Sequence, residues 1–127
     1  MKTLKIVALT AMAVIGTVAC KKNGTGGKAT LAALPQHHGK PIFGATAYIK
    51  FNATELPSDP TNNYDLKIVG GKKEDHVHVE NLRYGNYYVY IIGYDSSIFL
   101  PVKGGIPVKI KYAERAKELD MIIPVKE

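Results

Sequence analysis

Val77-His78-Val79-Glu80-Asn81-Leu82-Arg83-Tyr84-Gly85-Asn86-Tyr87-Tyr88-Val89 holds two strands and the corner between them. Val77 and Val79 alternate with His76, His78 and Glu80. That is the period-two pattern of a strand with one face in a core and the other in water. Leu82 fills the core where that strand ends, and Gly85 permits a turn backbone that a side chain would hinder. From Tyr87 to Tyr94 both faces are apolar or aromatic, which predicts a central strand. A buried Tyr87 ring would send its hydroxyl back to the main chain, as in a tyrosine corner.

The same period runs outward in both directions. Ala45, Ala47, Ile49 and Phe51 alternate with Thr46, Tyr48, Lys50 and Asn52, and Tyr64, Leu66 and Ile68 with Asp65 and Lys67. Ile106, Val108, Ile110 and Tyr112 alternate with Pro107, Lys109 and Lys111, and Leu119, Met121, Ile123 and Val125 close the chain. Turns are expected at Gly39-Lys40-Pro41, Pro57 to Asn63, Gly70-Gly71, Gly85-Asn86 and Gly104-Gly105. Only Tyr112 to Leu119 reads as helical, long enough for a single connection. With Ala29–Leu34 included, the pattern predicts an all-β chain: one antiparallel β-sandwich of about seven strands.

Ahead of it, Lys2 and Lys5 precede an uncharged, mostly apolar run from Ile6 to Ala19, and small residues lead into Cys20, the single cysteine of 127 residues. A span of the bilayer needs about 20 apolar residues, so residues 1–19 are expected to be a cleaved signal peptide. Thr17-Val18-Ala19-Cys20 resembles the lipobox of bacterial lipoproteins, with Thr17 where Leu is usual. The resemblance implies lipid on Cys20, hence a membrane anchor and no thiol for a disulfide or a metal. Residues 20–28, with Asn23-Gly24-Thr25-Gly26-Gly27, are expected to form a flexible tether, and residues 29–127 the sandwich domain. Removing Lys2 and Lys5 from the 17 basic residues leaves 15 against 11 acidic, a net charge of +4. Part of that excess, Lys21, Lys22 and Lys28, would face anionic headgroups. With no basic stripe interleaved with aromatics, nucleic acid is not an expected partner.

Gly39-Lys40-Pro41-Ile42-Phe43-Gly44-Ala45-Thr46-Ala47-Tyr48 resembles the opening motif of carboxypeptidase regulatory-like and other prealbumin-like (transthyretin-type) domains. Val77 to Val89 is similar to their later Asn-Leu-x-x-Gly-x-Tyr signature, with His76 where a turn glycine is common. Gly93-Tyr94-Asp95 and Val102 to Val108 extend the likeness to small Bacteroidetes-type lipoproteins. The resemblance covers Ala29 to Val125. It implies a prealbumin-like sandwich that binds, spaces or braces rather than catalyses.

Two constellations carry chemistry. His76 and His78 leave one strand face with Glu80 behind them, and His37-His38 adds two nitrogens near another turn. Imidazole and carboxylate suit zinc or copper, but two ligands on a wet face make a poor site, so a solvated face is the preferred reading. Tyr88, Tyr90 and Tyr94 share a strand face at even spacing, a candidate interaction surface because tyrosine offers area at low entropy cost. Packing under a loop or the tether is the plainer alternative for this row. Asp59, Asn62, Asn63 and Asp65 read as turn chemistry rather than a calcium loop. Neither Ser96 nor Ser97 has a nucleophile's context. The expectation is therefore a lipid-anchored, non-catalytic binding or accessory module of the cell envelope, on the outer membrane, with no cofactor. Its partners would be the membrane through Cys20 and an envelope protein or glycan. A periplasmic metal-binding protein is the alternative, and a hydrolase the minority reading.

Overall fold

A computed structural model describes residues 23–127. The expected signal peptide, 1–19, and Cys20, the expected lipid acceptor, lie outside the described residues. Eight strands follow in order: β1 Thr25–His37, β2 Lys40–Pro41, β3 Thr46–Phe51, β4 Leu66–Val69, β5 Val77–Leu82, β6 Gly85–Asp95, β7 Leu100–Ile110 and β8 Glu118–Pro124. They form two four-stranded sheets packed face to face. In the first, β1 pairs antiparallel with β2 and β5 and parallel with β8. The second, in the order β4-β3-β6-β7, is antiparallel throughout.

The all-β sandwich expected from alternation is present, with β2 as the additional strand. The parallel pair departs from the expected antiparallel arrangement, for a topological reason. Strand β7 ends beside the start of β6, at the pole where β1 begins. One short connection, with a 3-10 turn at Tyr112–Glu114, then launches β8 in the direction of β1. The expected helical segment is thus this single turn.

Alternate residues meet between the sheets. Leu31, Ile49, Val77, Val79, Leu82, Val89, Ile91, Ile110 and Ile123 are fully buried, each burial contributing roughly 1.5–3 kcal/mol. Tyr87 lies among them, its ring edge-on to Phe51 at 5.7 Å. Its hydroxyl donates to the Arg83 carbonyl at 2.6 Å and accepts from the Gly24 N–H at 2.8 Å. The sequence motif at Leu82-Gly85-Tyr87 is realised as a core residue, a corner and an anchored ring.

Two expectations need correction. Residues 23–28, read as part of a flexible tether, belong to the fold. Asn23 N–H bonds the Tyr84 carbonyl at 2.8 Å, and Gly24 receives the Arg83 N–H at 2.8 Å. Strand β1 already begins at Thr25, opposite Leu82. The glycines are there for proximity, since a Cβ on Gly27 would fall 2.1 Å from the Leu82 oxygen. Gly104-Gly105, read as a turn, lies in the middle of β7, which reverses from β6 through Ser96–Phe99 instead. A Cβ on Gly104 would meet the Pro124 oxygen at 2.2 Å, and one on Gly105 the Tyr88 ring at 2.7 Å. Here glycine marks close backbone approach within a strand.

Candidate functional site

Asn23 and the strand ends define two poles. Asn23, Arg83 and Tyr84 stand at one, which we call proximal because the chain leads from it toward Cys20. Strand β6 has 11 residues, so at about 3.3 Å per residue it carries the chain some ~35 Å to the distal pole.

On the outer face of the β4-β3-β6-β7 sheet, register sets Tyr90 beside Tyr48 and Gly105, and Tyr88 beside Lys50 and Pro107. Tyr64 reaches over Tyr48 with ring centroids 5.3 Å apart. The expected tyrosine row is graded rather than uniform. Tyr88 is buried against Gly105, Tyr90 is half-buried, and Tyr94 is 52% exposed. Burial pushes the Tyr88 and Tyr90 hydroxyls above the usual phenol range. Tyr88 is therefore a packing residue, and the contact-ready part of the row is its distal end. There the β6–β7 turn adds exposed Ile98, Phe99 and Leu100, and Phe43 shares a cleft with Tyr94. Phe99 is 76% exposed and has φ 56°, a backbone region that bulky residues rarely occupy.

The distal pole also holds a cluster that sequence reasoning missed. His37 faces inward at the end of β1 and is buried. Its Nδ1 lies 2.8 Å from Asp95 Oδ2 and its Nε2 2.7 Å from Glu127 Oε2. The hydrogen bond to Asp95 is the main reason the His37 pKa is raised, with Glu127 adding to it. Asp95 also accepts the Ser97 hydroxyl at 2.5 Å and the Ser97 N–H at 3.0 Å. The Ser97 side chain first, then His37, hold the Asp95 carboxyl down at about 2. His38 stands beside His37, ring centroids 4.2 Å apart. The signal available in sequence was the His-His pair. Its partners lie 58 and 90 positions away.

His78 on the outer face of β5 and His76 just before that strand lie away from that cluster. Their rings are 4.4 Å apart. His78 reaches across the small Ala32 of β1 to Glu118 of β8 at 3.2 Å, and His76 bonds Asp75 at 2.9 Å, which raises its pKa. The structure therefore does not join the two histidine pairs. His76 and His78 are partly exposed and pair with surface carboxylates, as on a solvated face. In the Pro57–Asp65 loop Asp59 accepts from Asn62, while Asp65 accepts the Phe51 N–H at 2.7 Å, so those oxygens serve the turn. Ser97 is committed to Asp95.

The proximal pole is basic. A cleft of about 570 Å³ is lined by Lys28, Arg83, Tyr84, Arg115 and Lys117 among others. Arg115 lies 4.0 Å over the Tyr112 ring, itself edge-on to Tyr84 at 5.0 Å. No helix among the described residues is long and apolar enough to cross a membrane. No protein-family model matches the chain, and searches of curated proteins and of solved structures find no match.

Proposed function

We propose that this chain is a lipid-anchored, non-catalytic binding module of the bacterial cell envelope, a prealbumin-like lipoprotein that presents its distal pole to an envelope protein. The observation that carries the reading is the group of exposed apolar residues at that pole: Phe43, Tyr94, Ile98, Phe99 and Leu100. Exposed apolar groups of this kind mark contact surfaces. Aromatic residues are enriched where proteins meet, and the aliphatic share favours a protein over a glycan.

The polarity of the fold supports the same reading. From Cys20 to Asn23 the chain advances three residues, a reach of roughly 10 Å when extended. A lipid on Cys20 would keep the basic proximal pole at the headgroups and turn the distal pole outward. Lys28, Arg83, Arg115 and Lys117 would then meet anionic lipid.

Site-specific photocrosslinking in cells tests the reading. A photoreactive residue replacing Phe99 or Tyr94 should give a discrete crosslinked protein band, and one replacing Glu80 on the other sheet should not. Crosslinks equally strong from Glu80, or to glycan alone, would contradict it.

A further inference from the structure

We propose that His37, His38 and Glu127 bind one divalent ion of the zinc class, with Asp95 positioning His37. The three ligand atoms lie within 4.8 Å of one another, and His37 Nε2 and Glu127 Oε2 are 2.7 Å apart. Ligands of a tetrahedral zinc stand roughly 3.4 Å apart, from metal–nitrogen lengths of about 2.0–2.1 Å. The remaining adjustment falls on His38 and Glu127, whose side chains are exposed and can rotate, while His37 is fixed in the core.

Three features of the fold converge on this site. Consecutive strand residues point to opposite faces, so His37 and His38 would ordinarily diverge. His38 and Gly39 form the two-residue turn between β1 and β2, with φ 52° and 77°. That turn prefers Asn-Gly, and here its first position carries an imidazole folded back beside His37. Next, Asp95 occupies Nδ1 of His37 and leaves Nε2 for a metal, while Ser97 fixes Asp95 in turn. A carboxylate behind a histidine in this way orients metal-ligating imidazoles generally. Last, Lys126 exchanges both backbone hydrogen bonds with Lys103 of β7, at 2.8 and 2.9 Å, which carries Glu127 to the cluster.

Two imidazoles and a carboxylate suit zinc or copper better than magnesium or calcium. A set of three protein ligands leaves a fourth position for water or for a donor from a partner. In the structure His37 Nε2 and Glu127 Oε2 are hydrogen-bonded to each other, and a bound ion would take the place of that hydrogen bond. The site lies beside Tyr94 and the β6–β7 turn, but it stands independently of the lipid anchor and of the distal contact surface.

Zinc affinity of the full chain in detergent, measured by competition with a chromophoric chelator, tests the site. A Cys20→Ser background removes the thiol that any unlipidated chain would offer in competition. The expected result is one zinc per chain, weakened at least about tenfold by His38→Asn and by Glu127→Gln. His38→Asn suits the turn, so its loss of affinity cannot come from a broken hairpin. Cobalt should give the visible spectrum of a tetrahedral ion in the parent and lose it in both variants. Asp95→Asn should weaken zinc about 10–100-fold. His76→Ala/His78→Ala should change nothing. Absence of zinc binding, affinity indifferent to both His38→Asn and Glu127→Gln, or affinity lost in the His76/His78 variant would overturn the site. An unchanged affinity in Asp95→Asn would overturn the positioning role.

Discussion

Tyr87 joins three backbone segments through one ring and its hydroxyl: Arg83 before the corner, Gly24 just ahead of β1, and its own strand. Tyr87→Phe removes the acceptor for Gly24 and the donor to Arg83 while keeping the ring. It should cost about 1–3 kcal/mol, more than an exposed hydrogen bond, because the Gly24 N–H left behind is buried and the Arg83 carbonyl partly so. Leu82→Ala should cost about 2–5 kcal/mol, since Leu82 is fully buried and its neighbours are strands that cannot collapse freely. Denaturant unfolding of both variants checks the pair. Equal and negligible losses would contradict the corner. Both residues were legible in the sequence because their roles are local: a core residue, a turn and an aromatic within six positions. His37 was not, since its meaning depends on Asp95 and Glu127, which only the tertiary fold brings near.

At the scale of strands, alternation located each main element, and composition misplaced two boundaries. The run Asn23 to Gly27 looks like a linker because glycine usually gives freedom. In β1 it serves closeness, as Gly27 packs on the Leu82 carbonyl. Gly104-Gly105 misled for the same reason, and a single strand's sequence does not reveal which backbone will cross it. Gly104→Ala should therefore destabilise by about 1–3 kcal/mol, by forcing Pro124 away from β7. Unfolding by denaturant measures this, and a neutral result would mean that the closure between β7 and the C-terminal segment is not tight. The parallel pairing of β1 with β8 was equally hidden, because alternation reports which face is buried and says nothing of direction.

Across the whole molecule, a cleft lined by Lys28, Arg83, Arg115 and Lys117 lies at the proximal pole, and exposed Phe43, Tyr94, Ile98, Phe99 and Leu100 lie at the distal one, with buried His37 between Asp95 and Glu127 beside them. Such an asymmetry has a use if one pole faces a membrane. The reading of a lipid anchor rests on sequence, in the order basic, apolar, small, cysteine, and the fold contributes that Asn23 and Gly24 are bonded to Tyr84 and Arg83. Because Asn23 and Gly24 are held by the corner, the linker to a lipid on Cys20 would be short. The orientation would then be constrained rather than free. Metabolic labelling with a fatty-acid analogue, followed by membrane fractionation of the parent chain and of Cys20→Ser, tests this account most directly. The parent should incorporate label and sediment with membranes, and Cys20→Ser should lose the label and fail to be cleaved before residue 20. Undiminished label in the variant, or an unlabelled parent, would contradict the lipid anchor and the orientation built on it.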